Sequence, residues 1–383
     1  MKLKINNKLI SRLSLIILTL TFFEFLYTEL TGEKTNVILT ILFFWGLIAF
    51  FSRKQRFTKD IALKLLVITI VILYTRNEQS IRYGLTLAAL FLWSNIKFEK
   101  LENYIRFLIV ISGALSIVQL TQGARRIHGF FASSAPQMSC VFLCCECYLL
   151  VYMANRKFNK LDIVLTALCV AFNFFTGTRS TLIASAAIFV VYMIIIALNS
   201  FHLSSKKIVM LLVIATIMGG LIFRLNDIIS YINTRLNRND LQASSLTRMG
   251  IYRYIWGQLK SNMRMFLIGN GGGYIKESLM MYLSKTFYYP AHQDFLLIWA
   301  EYGIVGMLLI FWTFLRKHKC FIFFLMVFGV CSFHNVVLTP MTMILMTIEM
   351  IDIEQKQFYV FTKKKSGRST FSSKGNLNDF VLS

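Results

Sequence analysis

Charge is scarce along most of this sequence. Between residues 161 and 200 only Asp162 and Arg179 are charged, and similar apolar runs recur from one end of the chain to the other. Apolar residues make up 56% of the 383 residues, a share and an arrangement that soluble domains do not show. The scarcity of charge excludes a soluble globular fold and predicts an all-α, polytopic membrane protein.

Acidic residues are fewer than basic residues. The 18 Asp and Glu residues face 41 Lys and Arg residues, which gives a net charge of +23. Such an excess suits nucleic-acid binding when it covers one soluble face, but here the basic residues are scattered between apolar runs. We therefore exclude nucleic acid as a partner and expect the lipid bilayer to surround the chain.

Several motifs of common enzyme classes are missing from the polar segments. There is no Walker motif, no Asp-x-Asp metal motif, no Gly-x-Ser-x-Gly elbow and no glycosidase-type carboxylate pair. Four of the seven cysteines share one apolar segment, 140–147, without His or Cys partners at metal spacing. We therefore expect no metal and no cofactor.

The length of the apolar runs predicts the number of spans. A span needs about 20 residues, so the run 161–200 divides into two helices around the turn TGTRST, 176–181, where Gly177 can supply a positive φ. This reasoning predicts about twelve transmembrane helices, near 10–28, 36–52, 61–75, 80–95, 103–120, 135–153, 161–176, 180–199, 207–224, 292–315, 320–334 and 339–352.

The distribution of Lys and Arg predicts the orientation. Loops on the N-terminal side carry most of the basic residues, whereas the opposite short loops hold little more than Lys34, Arg76, Arg125, Arg126 and Arg179. The positive-inside rule then places both termini in the cytoplasm and one large loop, 225–291, outside between spans 9 and 10. The expected organisation is a transmembrane domain, 1–352, followed by a basic cytoplasmic tail, 353–383.

Proline is rare, and its positions agree with this orientation. Pro136, Pro290 and Pro340 are the three prolines of the chain. Each falls at the predicted outer start of a span that runs inward, where the first helical turn tolerates proline.

Polar residues collect on the predicted outer face. Arginines at span ends commonly anchor to lipid phosphates. By the positive-inside rule, however, arginines are uncommon in short outer loops, so the anchoring explanation is weaker for the arginines found there. The long loop adds a predicted helix that is N-capped by Ser245, with Met249, Tyr252, Trp256 and Leu259 on its apolar face and Arg248 near the surface.

The residue types on this face suit a phosphate headgroup. Arginine binds phosphate in a bidentate manner, and histidine transfers protons near neutral pH. His292 lies at the mouth of a span, and Glu301 lies about 13 Å below it. Within the membrane, Glu146 has two equally weighted interpretations: a polar contact inside the bundle, or part of a substrate path.

Four segments on this face occur in an order that resembles a known family. They are Arg126 with Gly129, Phe131 and Pro136; Thr176 to Ser180; Arg248 with Trp256 and Gly269-Asn270-Gly271; and His292 with Phe295, Leu296, Glu301, Gly303, Ile304 and Gly306. Over about residues 120–315 they resemble the O-antigen polymerase and O-antigen ligase superfamily of bacterial envelope glycosyltransferases. Gln293 replaces the usual Asn after the histidine, and Gln137 stands where Asn often follows the proline.

The resemblance implies an enzyme that uses an undecaprenyl-pyrophosphate-linked glycan at the outer leaflet of the cytoplasmic membrane. On this basis we expect catalytic roles for His292, Arg179 and Arg248, without a metal. We expect substrate binding by Arg125, Arg126, Arg253 and Glu301. A chain-length regulator and a flippase are candidate partners.

Three alternatives stay open from the sequence: a ligase, a transporter, and a membrane scaffold for assembly partners, which predicts no dependence on the arginines. A polymerase, which adds repeat units to a capsule, exopolysaccharide or O-antigen, is favoured over a ligase acting on lipid A-core because the Lys-, Asn- and Ile-rich composition indicates a low-GC genome, where lipid A is often absent. A lipid-linked oligosaccharide transporter is the alternative from another class. It would place charges deep within the spans, and the predicted spans are nearly free of charge.

Overall fold

A computed structural model describes residues 7–31, 37–52, 58–124, 126–131, 135–156, 159–200, 240–284, 291, 293–315 and 340–358. Within these ranges the secondary structure is helical, apart from one isolated β-bridge between Thr75 and Gly272. The helices are α1 Asn7–Thr31, α2 Val37–Phe51, α3 Lys59–Leu73, α4 Glu78–Trp93, α5 Leu101–Thr121, α6 Ala135–Asn155, α7 Lys160–Thr176, α8 Arg179–Ser200, α9 Asp240–Ser261, α10 Met263–Ile268, α11 Tyr274–Tyr282, α12 Asp294–Leu315 and α13 Pro340–Gln355.

The helices match the predicted spans wherever both can be compared. Helices α1 to α8, α12 and α13 coincide with predicted spans to within a few residues, whereas the spans predicted near 207–224 and 320–334 lie outside the described residues. Among the described residues, four helical segments are long and apolar enough to cross a membrane: Asn7–Tyr27, Leu101–Thr121, Ala135–Asn155 and Asp294–Thr313. The all-α, multi-pass membrane class is confirmed.

Two central helices, α6 and α13, organise the larger core. Every residue from Met138 to Val151 in α6 is buried, as is every residue from Met341 to Ile353 in α13. A helix that is buried on all sides belongs at the centre of a bundle. Residues from α1, α2, α4, α5, α7 and α8 complete this core around them.

A second core joins the long-loop helices to α12. Ile251, Ile255 and Leu259 of α9 pack with residues of α10 and α11, and with Leu297 and Ala300 of α12. The predicted long-loop helix is present, but two of its details are wrong. Helix α9 begins at Asp240, so Ser245 lies within it and does not cap it.

The buried face of α9 also differs from the predicted one. Leu259 is buried as expected, whereas Met249 is 49% exposed and Trp256 is 37% exposed. The reason is that Ile251, Ile255 and Leu259 follow one another at intervals of four residues and form a single stripe. Helix α12 packs on that stripe, and Met249 and Trp256 lie beside it.

Polar contacts between helix ends and loops fall into two groups. In each group, the contacting segments are ones that the predicted topology places on the same face of the membrane. Among ends placed outside, the N–H of Ile127 donates to the carbonyl of Phe175 (3.2 Å) and that of Arg76 to the carbonyl of Gly272 (2.8 Å). Among ends placed inside, Lys356 after α13 bonds to Glu102 at the start of α5 (2.8 Å). Arg106 of α5 makes a two-pronged ion pair with Asp162 at the start of α7.

Candidate functional site

The turn between α7 and α8 has the backbone that its sequence predicts. Gly177 adopts φ +65° and ends α7, and its N–H donates to the carbonyl of Phe174 (3.0 Å). A residue with a side chain is strained in this left-handed conformation. Thr178 is buried after it, and Arg179 is the first residue of α8. The turn therefore fixes where the Arg179 backbone begins its helix.

The loop before α6 brings a second arginine to the same turn. The Nε of Arg126 donates to the carbonyl of Thr176 over 2.6 Å. Thr176 is the last residue of α7, three positions before Arg179. Two arginines that are 53 positions apart in sequence thus lie on adjoining segments of backbone. Arg125, the neighbouring candidate, lies outside the described residues.

Side chains beneath the loop hold it in place. The side-chain oxygen of Gln119 accepts the N–H groups of His128 (2.8 Å) and Gly129 (2.9 Å), and its amide nitrogen donates to the carbonyl of Gly129 (3.1 Å). Phe130 and Phe131 are fully buried, and Phe130 packs on Phe22 of α1 with ring centroids 5.3 Å apart. The segment that follows Arg126 is therefore an anchor built into the bundle.

Helix α9 carries the two candidate arginines of the long loop. Arg248 is half-buried near Tyr252, one turn further along α9, and Arg253 is exposed. Partial burial raises the pKa of Tyr252, and the positive charge of Arg248 lowers it in part. The packing of Ile251 and Ile255 beneath these residues fixes α9 on α12.

The start of α12 is capped by a residue that departs from the family pattern. The side-chain oxygen of Gln293 accepts the N–H of Leu296 (2.8 Å), and its carbonyl accepts the N–H of Leu297 (3.1 Å). This is the arrangement of a helix N-cap, in which asparagine is the commoner residue. Gln293 therefore does here what the usual Asn could do. His292 itself lies outside the described residues.

Helix α12 is interrupted where the family-like motif has its first glycine. Gly303 has φ +69° within the helix. The carbonyls of Ala300 and Glu301 accept N–H groups from Asn270 (3.1 Å) and Gly271 (2.8 Å) of the glycine-rich segment 269–273. On its other side, Gly272 pairs with the backbone of Tyr74 and Arg76. Segment 269–273 is thus a structural junction between α12 and the end of α3.

Glu301 faces this junction. Its side chain is 1% exposed. Its carboxylate lies beside the N–H groups of Gly273 and Ile275 at the start of α11, without reaching hydrogen-bond geometry. The beginning of α11 is therefore the neighbour of the Glu301 carboxyl group in the structure. That Glu301 binds substrate stays a prediction.

The buried Glu146 contacts another helix of the bundle. The hydroxyl of Ser185 on α8 donates to Oε2 of Glu146 on α6, while Oε1 has no hydrogen-bond partner among the described residues. A polar contact inside the bundle is one of the two interpretations that the sequence leaves open for this residue. Nothing in the described part of the chain groups three or more His, Cys, Asp or Glu side chains for a metal ion.

Fold and polar face together define the class: an all-α, multi-pass membrane protein with arginine-bearing loops packed on the ends of its helices. Residues 164–311 match a family model described as O-antigen ligase, which confirms the resemblance to the O-antigen ligase and polymerase superfamily of membrane glycosyltransferase-like enzymes. The family implies a lipid-linked glycan as substrate. Comparisons with curated proteins and with solved structures gave no significant match.

The matched region includes most of the candidate residues. Arg179, Arg248, Arg253, His292 and Glu301 lie within residues 164–311. Arg125 and Arg126 precede this region, and the bond from Arg126 to Thr176 connects their loop to it.

Proposed function

We propose that this protein polymerises undecaprenyl-pyrophosphate-linked oligosaccharide units into a surface polysaccharide at the outer leaflet of the cytoplasmic membrane. The observation that carries the proposal is the bond from Arg126 to Thr176, which joins an arginine loop to the turn before Arg179 within the family-matched region. Two arginines at the end of a membrane bundle suit a lipid pyrophosphate, because the guanidinium group binds phosphate oxygens in a bidentate manner.

The proposed topology has about twelve spans, each about 20 residues long, with both termini in the cytoplasm and loop 225–291 outside. It is supported by the contacts that group the helix ends as this topology requires. In this orientation Arg126, the turn at Gly177 and helix α9 share the outer side with the pyrophosphate of the donor. A flippase would deliver the donor to this side, and a chain-length regulator is a further proposed partner.

The proposed reaction is a displacement at the anomeric carbon of the donor glycan. The acceptor hydroxyl oxygen forms the new glycosidic bond, the bond from the anomeric carbon to the pyrophosphate oxygen breaks, and undecaprenyl pyrophosphate leaves. Arg179 and Arg248, with Arg126, stabilise the negative charge on the departing pyrophosphate. His292 positions the acceptor hydroxyl and takes its proton. Arg125 and Arg253 are proposed to bind further parts of the donor.

A ligase is the second candidate, and one observation favours it: the matching family model is described as O-antigen ligase. In that case the same donor would be used, and the acceptor would be lipid A-core instead of a second lipid-linked unit. The proposed arginines and histidine would keep their roles.

The discriminating experiment uses purified protein with an undecaprenyl-pyrophosphate oligosaccharide, with and without lipid A-core. A ladder of products without lipid A-core supports the polymerase. A single transfer that requires lipid A-core establishes the ligase instead. Unchanged substrate in an assay where a known polymerase is active rejects both and favours the transporter.

The proposed site residues are tested by Arg179→Ala and His292→Ala. We expect each change to slow glycan transfer by roughly 100-fold or more, the usual effect of losing an electrostatic stabiliser or a general base. Arg264→Ala is the matched control, because Arg264 is an exposed arginine of α10 in the same long loop, and it should keep the wild-type rate. If the two site variants insert normally and still lengthen glycan at the wild-type rate, the mechanism is rejected.

A further inference from the structure

The junction between segment 269–273 and the break in α12 consists mainly of backbone contacts. The N–H groups of Asn270 and Gly271 bond to the carbonyls of Ala300 and Glu301. In an unbroken helix these two carbonyls would accept the N–H groups four residues further on. Because Gly303 interrupts the helix with φ +69°, they lie at the break and accept bonds from the loop.

Two glycines make this close approach possible. A Cβ at Gly269 would overlap the backbone of Glu301 and Tyr302, and a Cβ at Gly303 would overlap the backbone of Leu267 and Ile268. Backbone atoms on both sides leave no flexible side chain to move aside. The two glycines therefore allow the end of α10 and the break in α12 to touch directly.

Side chains secure the same junction from three directions. The indole of Trp299 donates to the carbonyl of Phe266 (3.0 Å), and the hydroxyl of Tyr74 donates to the carbonyl of Gly269 (2.9 Å). The buried carboxylate of Glu301 faces the N–H groups of Gly273 and Ile275 at the start of α11. The first N–H groups of a helix have no partner within the helix, so an oxygen beside them suits this position.

The junction lies between the two parts of the proposed site. On one side the chain continues through α10 to α9, which carries Arg248 and Arg253. On the other side it continues through α12 to the turn at Gln293, next to His292. Residues of α9 pack on Leu297 and Ala300 of α12 in one core, so that the placement of α9 depends on how the loop is seated on α12.

We propose that Glu301 is a positioning residue that, together with Gly269 and Gly303, seats the long loop on α12 and so sets the position of Arg248 relative to the start of α12. This inference rests on the proposed function and gives Glu301 a role other than substrate binding. Its carboxylate acts through α11 and the loop backbone, and it does not touch the glycan. A shift of about 1 Å between reacting groups lowers a rate by as much as about 100-fold.

The test compares Glu301→Ala, Glu301→Gln and Gly269→Ala in the full-length protein. With Glu301→Ala we expect transfer at saturating donor to slow by about 10- to 100-fold. The half-saturating donor concentration should stay unchanged, because Arg126 and Arg179 lie on the loop before α6 and on α8, away from this junction. Glu301→Gln retains an oxygen that faces the amides of α11 and should recover most of the rate. Gly269→Ala should slow transfer as Glu301→Ala does.

The matched control is Gly257→Ala on α9, where an added Cβ meets nothing within 4 Å; it should keep the wild-type rate. A higher half-saturating donor concentration in Glu301→Ala, at an unchanged maximal rate, would mean that Glu301 binds substrate and would overturn the inference. Wild-type kinetics in Glu301→Ala would overturn it as well.

Hydrogen exchange separates this inference from the proposed function. In the wild-type protein we expect the amides of 270–275 to exchange slowly, and in Glu301→Ala to exchange faster while the Gly257→Ala protein is unchanged. If the wild-type protein transfers no glycan, the proposed function fails, but faster exchange in Glu301→Ala still supports the seating role of Glu301. Equal exchange in both proteins overturns that role whatever the activity.

Discussion

Gln119 holds the arginine loop with both ends of its side-chain amide. One oxygen accepts two backbone N–H groups, from His128 and Gly129, and the nitrogen donates to the carbonyl of Gly129. Three bonds from one side chain fix the backbone two and three positions after Arg126. At the scale of single residues, the direction of Arg126 toward Thr176 therefore depends on a residue that belongs to no family-like motif.

Replacing Gln119 with alanine tests this dependence. Two N–H groups would lose their acceptor, at a cost of about 1–3 kcal/mol for each one that stays buried. We expect a lower unfolding temperature and a higher half-saturating donor concentration, because the loop backbone next to Arg126 is no longer held by Gln119. Gln122→Ala is the control, since Gln122 is exposed at the end of the same helix. Equal donor binding by the two variants would show that Arg126 does not depend on the hydrogen bonds of Gln119.

Residue-level prediction from sequence succeeded where one residue type has one special property. The positive φ of Gly177 was predictable because glycine is the residue that adopts it without strain. The roles of Gln119 and Glu301 were not, because their partners are backbone amides brought near by the lengths of α5 and α12. The positions of His292 and Arg125 stay predictions, since both lie outside the described residues.

Pairs of helices are joined by a few polar contacts at their ends. Arg106 of α5 binds Asp162 of α7 through two bonds of 2.6 and 2.8 Å, and Asp162 is fully buried. Removing one member of a buried ion pair leaves the other without its counter-charge. At the scale of elements, this pair connects α5 to α7 at the end opposite Arg126.

Asp162→Ala should therefore lower stability without altering the site. We expect a loss of about 3 kcal/mol, the lower end of the range for a broken buried pair, seen as a lower unfolding temperature of the purified protein in detergent. Asp60→Ala removes the Lys64 pair within α3, which is partly exposed, and should cost at most about 1 kcal/mol. Similar unfolding temperatures for both variants would contradict the assigned importance of the α5–α7 pair.

Helix positions were predictable because burial in a bilayer demands long apolar runs, and the described helices follow those runs. Pro136 and Pro340 do lie in the first turns of α6 and α13. The break at Gly303 was not predictable, because its sequence, GIVG, is apolar and equally suits a continuous transmembrane helix. Only the loop packed against it shows why the helix opens there.

At the scale of the molecule, the helix ends divide between two faces, and the proposed orientation makes one of them external. The Lys356–Glu102 and Arg106–Asp162 bonds join ends on the proposed inner face. The Arg126–Thr176 and Gly272–Arg76 bonds join ends on the proposed outer face. The contacts support the grouping, whereas the assignment of inside and outside rests on the distribution of Lys and Arg.

Cysteine labelling tests the orientation directly. Gln122, Met281 and Gln357 are exposed in the structure, so a cysteine at each can react with a maleimide. We expect Gln122→Cys and Met281→Cys to be labelled by a membrane-impermeant maleimide in intact spheroplasts, and Gln357→Cys to be labelled only after permeabilisation. The unsubstituted protein supplies the background, which should be low for its described cysteines because they are buried. Labelling of Gln357→Cys in intact spheroplasts, or no labelling of Gln122→Cys and Met281→Cys, would contradict the proposed orientation. The proposed site would then lie on the side of the membrane opposite the donor.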